Sequence, residues 1–183
     1  MRLNSAIALV FVFAACNSAP STPATEAAKV DSSAAVKPIN SPYEIMYSSK
    51  FTIDDPKNAE SVLALWKAYD DGNLSTTKDL IADSIEVYLS SGGEMKSSRD
   101  SMIAGIQGHR NSFKSAVDRV NAVMAVKSTD RNEHWVLIWG TEIDTHKDGK
   151  VDSTELQETW RFAADGRANL LFQYSRPAGP MKR

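Results

Sequence analysis

A carboxylate that shares a strand face with large aromatic rings can do proton chemistry, and Glu158 has that setting. Alternation by two over Thr154–Phe162 puts Glu158 on the side of Thr154, Leu156, Trp160 and Phe162. If that face is the covered one, burial raises the carboxyl pKa and makes Glu158 a candidate acid or base. The alternative is a solvent-facing glutamate, or one paired with an arginine. His109 and Tyr88 are the candidate partners for proton transfer. Trp66, Trp139 and Trp160 offer the walls of a ligand pocket, although the same rings would serve as plain core. The expected pocket is therefore Trp66, Tyr88, Trp139, Glu158 and Trp160. Glu158 is expected to face the interior near Trp139 and Trp160 as the main polar group.

Other constellations are weaker. The run from Asp144 to Glu155 places Asp144, Asp148, Gly149 and Glu155 at positions 1, 5, 6 and 12 of a calcium loop. Position 3 is His146, a poor calcium ligand, and the flanks alternate like strands rather than helices. A hairpin turn at Gly149 explains the same residues. No two of His109, His134 and His146 have metal-ligand spacing. No metal and no cofactor are expected. Arg110 and Lys114, one helical turn apart, read as a solvated face.

The elements that must position these residues follow from periodicity. Asp55 and Pro56 signal a helix start, and Val62, Leu65, Trp66 and Tyr69 follow at helical spacing until Gly72 and Asn73. A short second helix covers about 76–82. Ile85, Val87 and Leu89 alternate as a strand, Ser91–Gly93 turns it, and a capping pattern at Ser97–Asp100 opens a third helix through about Phe113. Four strands follow, at 117–126, 135–145, 154–162 and 168–174. Their separators include Asp148-Gly149 and Asp165-Gly166, strong hairpin signals. Helices followed by an antiparallel meander make an α+β domain with its helices on one sheet face.

The chain has 183 residues, 24% of them charged, and a formal net charge of −2. No basic run appears, so nucleic acid is not an expected partner. Met1–Asn4 carries one arginine, and an apolar run from Ala6 to Ala15 ends at the lone cysteine, Cys16. Phe13-Ala14-Ala15-Cys16 resembles a bacterial lipobox, with Phe13 where leucine is usual. A soluble secreted chain cut after Ala15 is the alternative. The resemblance implies a signal peptide over 1–15 and a lipid on Cys16. It places the domain at the cell envelope, lipid-anchored to a bacterial membrane on the periplasmic side. With that thiol acylated, disulfides and cysteine nucleophiles are excluded. Residues 16–42 are mostly Ser, Ala, Thr, Pro, Lys and Glu, a composition that cannot bury a core and reads as a disordered tether. Tyr43–Tyr47 reads as a short strand or packing arm. The domain is expected over 43–177, with a tail at 178–183.

Residues 58–175 resemble the nuclear transport factor 2-like superfamily, which includes ketosteroid isomerases and polyketide cyclase-like proteins. The carriers are Val62–Gly72, Asp79–Asp83, Trp135–Gly140, and Thr159–Phe162 followed by Asp165-Gly166. The resemblance implies a cone-shaped, strongly bent antiparallel sheet closed by about three N-terminal helices, with a pocket at its open end. Carried over residue by residue, the isomerase roles fall on Leu89 for the base, Leu65 for the tyrosine and Glu158 for the oxyanion acid. Leucine can neither take nor donate a proton, so ketosteroid isomerisation is not expected.

The expected function is a non-catalytic envelope lipoprotein whose cone binds a small apolar molecule or a protein partner. The alternatives are a pocket isomerase, dehydratase or hydrolase using Glu158, and a structural homodimer paired through the open sheet face.

Overall fold

The computed structural model of the chain describes residues 39–178. The signal segment, Cys16, the tether up to residue 38 and tail residues 179–183 lie outside the described residues. Among the described residues, no helix is long and apolar enough to cross a membrane.

The chain runs β1 (Phe51–Ile53), α1 (Lys57–Asp70), a 3-10 helix (Leu74–Leu80), β2 (Ile81–Leu89), β3 (Glu94–Ser98) and α2 (Arg99–Arg110). It then forms β4 (Phe113–Ser128), β5 (Glu133–His146), β6 (Val151–Phe162) and β7 (Ala168–Pro177). The strands form one sheet in the order β1-β4-β5-β6-β7-β2-β3. Every pairing is antiparallel except β2 with β7, which is parallel. This is the α+β architecture and curled cone that the sequence implies.

Two strands were not expected from the sequence. β1 spans three residues and β3 is the polar run Glu-Met-Lys-Ser-Ser. They form the two edges of the sheet, where short length and charge limit pairing with other chains. The segment Tyr43–Tyr47 is an arm and not a strand: the Tyr47 ring meets Trp135 edge-on at 5.9 Å on the outer face of the sheet.

Local chemistry accounts for the helix boundaries. Asp55 Oδ1 accepts from the Lys57 backbone N–H at 2.9 Å, and the Ser98 hydroxyl accepts from Ser101 N–H at 3.2 Å. Both satisfy first-turn N–H groups that have no partner within the helix. α2 ends at Arg110, earlier than the expected Phe113, and Lys114 lies in β4. Arg110 is not a solvated residue. Its guanidinium donates to the carbonyls of Tyr69 at 2.8 Å and Asp70 at 2.9 Å, so α2 caps the C-terminus of α1.

The core lies between α1, α2 and the concave sheet face. Val62, Leu65 and Trp66 of α1 pack with Val136 and Ile138 of β5 and Trp160 and Phe162 of β6. The pairing of β4 with β5 slips by one residue at Asn121, between Val120 opposite Gly140 and Ala122 opposite Trp139. This bulge bends the longest strand and reverses its alternation. Asp118 and Val123 therefore share the concave face although they are five positions apart.

Candidate active-site cavity

Between the helices and the concave sheet lies a cavity of about 610 Å³, a size suited to a small organic molecule. Glu158 lies at its wall, 4% exposed. Register explains the placement, since Glu158 stands opposite Ile138 on β5 and Gln173 on β7. Three N–H groups hold its carboxylate. Trp66 Nε1 donates to Oε2 at 2.7 Å, Trp160 Nε1 to the same oxygen at 2.9 Å, and Gln173 Nε2 to Oε1 at 2.8 Å. Burial raises the Glu158 pKa, and the three donors oppose that rise.

Gly140 allows Trp66 to reach across. A Cβ at position 140 would stand 2.5 Å from Trp66 Cζ3 and 2.8 Å from the Arg119 carbonyl oxygen. The glycine leaves a slot in β5 that the indole fills.

Trp66, Glu158 and Trp160 thus line the cavity together. Trp139 and Tyr88, expected beside them, do not. Trp139 pairs with Gln157, one residue out of phase with the Ile138–Glu158 pair, so its ring lies on the outer face. Tyr88 follows the cavity-lining Val87 and stacks on Phe172 at 5.0 Å outside the cone. In both cases a period of two fixes which residues share a face, but not which face is covered. His109 does line the cavity. It stacks on Tyr69 at 6.5 Å and meets Phe113 edge-on at 5.1 Å.

Glu158 is not the main polar group of the cavity. Asp118, Glu142 and Asp144 line it too. Asp118 stands directly opposite Glu142 across the β4–β5 ladder, and Asp144 follows two residues on along β5. Burial pushes the Asp118 carboxyl up to about 8, helped by the neighbouring charges of Asp70, Glu158 and Asp144. Burial likewise raises Glu142 to about 8, reinforced by Asp144 and Asp118. The Tyr69 hydroxyl beside them is raised by burial and by the same three carboxyls. Tyr69 Oη, Asp118 Oδ1 and Asp144 Oδ1 are buried without a hydrogen-bond partner among the described residues. Among the described residues, no lysine or arginine lines the cavity.

Of these acids, Asp144 alone belongs to the calcium-type run with Asp148 and Glu155. The structure divides those residues. Asp144 faces inward, Asp148 sits in the β5–β6 turn with its Oδ1 accepting from Lys150 N–H at 3.1 Å, and Glu155 pairs with Arg176 at 2.5 Å. Gly149 has φ +88° and makes the hairpin turn. Gly140 was the usable signal. A glycine inside a strand marks a close approach, which identifies the Gly140–Glu142–Asp144 face as the covered one.

No protein-family model and no curated protein sequence matches the chain. Solved structures do. An LEH-like epoxide hydrolase from M. tuberculosis superposes with a TM-score of 0.54 at 12% identity, covering 66% of this chain and 83% of that one. SalBIII, an epoxide hydrolase/cyclase-like enzyme of pyran ring formation in salinomycin, gives 0.56 at 8% identity, over 67% and 93%. A nuclear transport factor 2-like protein of unknown function from Burkholderia pseudomallei gives 0.51 at 18% identity, over 64% and 88%. The domain has the nuclear transport factor 2-like fold. Its cavity lies between the helices and the concave face of the sheet.

Proposed function

We propose that this chain is an envelope lipoprotein whose nuclear transport factor 2-like domain binds a small, largely apolar molecule inside its cone. A lipid on Cys16 holds it to a bacterial membrane, and residues 16–42 let the domain stand off into the periplasm. One observation carries the binding reading: a cavity of about 610 Å³ walled by side chains such as Leu65, Trp66, Met102, Leu156, Trp160 and Leu171. A volume and lining of this kind suit a small molecule better than a protein surface. At its wall the Glu158 carboxylate is fully engaged by Trp66, Trp160 and Gln173. Glu158 therefore orders the wall rather than moving protons. Native mass spectrometry of the full chain released gently from membranes tests the reading. An added mass of a few hundred daltons, lost on denaturation, is expected; a bare protein mass that takes up no apolar compound contradicts it.

A second reading, a pocket enzyme, moves the acid and base roles from Glu158 to Asp118 and Glu142. Their raised pKa values favour it, as do the names of the hydrolase and the cyclase-like enzyme that share the fold. A retained molecule that is recovered chemically unchanged after prolonged incubation supports binding; conversion that is lost in Glu142→Gln supports catalysis.

A further inference from the structure

The binding reading leaves open what chemistry the occupant carries, and the polar end of the cavity addresses that. Buried carboxyls gathered without a cation are costly, because each charge loses its hydration and repels the others. Protonation relieves part of the cost, but it does not supply partners for every oxygen. Asp144, 7% exposed, keeps Oδ1 unpaired, and Asp118 Oδ1 is likewise buried and unpaired. Tyr69, 8% exposed, has an unpaired hydroxyl among the same acids. Among the described residues these atoms line the cavity together with apolar side chains and no lysine or arginine; its two histidines are His109, packed on Tyr69 and Phe113, and His146, whose Nε2 is paired with Asp152. Among the described residues, no group of three or more His, Cys, Asp or Glu is arranged to hold a metal ion.

We propose that the occupant is an organic cation, with an apolar body between Trp66 and Trp160 and an ammonium group among Asp118, Glu142 and Asp144. The ammonium offers N–H donors to the unpaired carboxyl oxygens and to the Tyr69 hydroxyl oxygen, forming charge-assisted bonds in a dry site. An anionic occupant of equal size meets five carboxyls in the lining, Asp118, Glu142, Asp144, Asp152 and Glu158, and is repelled. This inference rests on the binding reading above and names the class of ligand.

Three matched probes test it on the full chain by titration calorimetry: 1-naphthylmethylamine, 1-naphthalenemethanol and 1-naphthoate. The amine is expected to bind at least about tenfold more tightly than the alcohol and to release protons on binding, seen as a heat that depends on the buffer. Naphthoate is expected to bind weakest. In Asp118→Asn and in Glu142→Gln, each checked for folding by circular dichroism, the ratio of amine to alcohol affinity is expected to fall to about threefold or less. If the alcohol or naphthoate binds as tightly as the amine, or if both folded variants keep the full ratio, the cation inference fails while the binding reading stands. If none of the three binds, both fail.

Discussion

The indole N–H of Trp66, on α1, donates a 2.7 Å hydrogen bond to Glu158, on β6, 92 positions away in sequence. This bond crosses the cone and ties the covering helix to the sheet at the cavity wall. Gly140 lies beneath the indole, and Trp160 and Gln173 complete the coordination of the carboxylate.

Gly140→Ala should disturb this tie first. The added methyl would sit 2.5 Å from Trp66 Cζ3 and 2.8 Å from a backbone oxygen, and the backbone oxygen cannot yield cheaply. Overpacking of this kind costs about 1–3 kcal/mol. Urea unfolding should show the lower stability, and near-ultraviolet circular dichroism should show an altered tryptophan band. An unchanged midpoint would mean that the close approach does not constrain Trp66.

Glu158→Gln should also destabilise the domain. Both oxygens of Glu158 accept, whereas an amide must turn its NH2 toward either the two indoles or the Gln173 amide. With the carbonyl oxygen kept on the two indoles, Gln173 must turn its own amide so that its oxygen accepts, and a neutral acceptor replaces the carboxylate, at about 1 kcal/mol. Chemical denaturation measures this loss, and equal stability of the two proteins would contradict the three-donor geometry.

The pH dependence follows from Asp118 and Glu142, both raised to about 8 from ordinary values of 3.8 and 4.5. Between about pH 4 and pH 8 the folded state keeps protons that the unfolded chain has released, so stability falls as pH rises through that window. Below it, both states are protonated and the penalty vanishes. The ligand-free domain should therefore melt at a lower temperature near pH 8 than near pH 5. A rise over the same interval would contradict the burial of these acids.

Glu142→Gln removes one of these costs. The amide is close in shape to the protonated acid and cannot ionise. The variant should raise the melting temperature near pH 9 and change it little near pH 5. An equal effect at both pH values would point to packing and not to charge.

Cys16→Ser tests the proposed anchor. Membrane fractionation should move the protein from the membrane to the soluble fraction. Retention on the membrane would remove the lipid from the account.

The fold was legible because α1, β2 and β5 to β7 follow regular periods, with Asp-Gly turns joining β5 to β6 and β6 to β7. The edge strands β1 and β3 were not, since strands exposed at sheet edges need no apolar alternation. Within the site, Glu158 and Trp160 were readable from one strand, and Trp66 from its helix stripe. Trp139 and Tyr88 were assigned to the wrong face because periodicity defines two faces without saying which is covered. Glu142 was readable only through Gly140 on the same face of β5, whereas Asp118 depended on its register with β5, which local sequence does not state.

The position of the four tryptophans allows the most direct test of a ligand inside the cone. Trp66 and Trp160 line the cavity, whereas Trp135 and Trp139 lie on the outer face. In a proton–nitrogen correlation spectrum, each indole gives its own Nε1–H signal. During titration with 1-naphthylmethylamine, the Trp66 and Trp160 signals should shift and saturate while those of Trp135 and Trp139 stay in place. Saturating shifts confined to Trp135 and Trp139, or no shift at any of the four, would contradict binding within the cone.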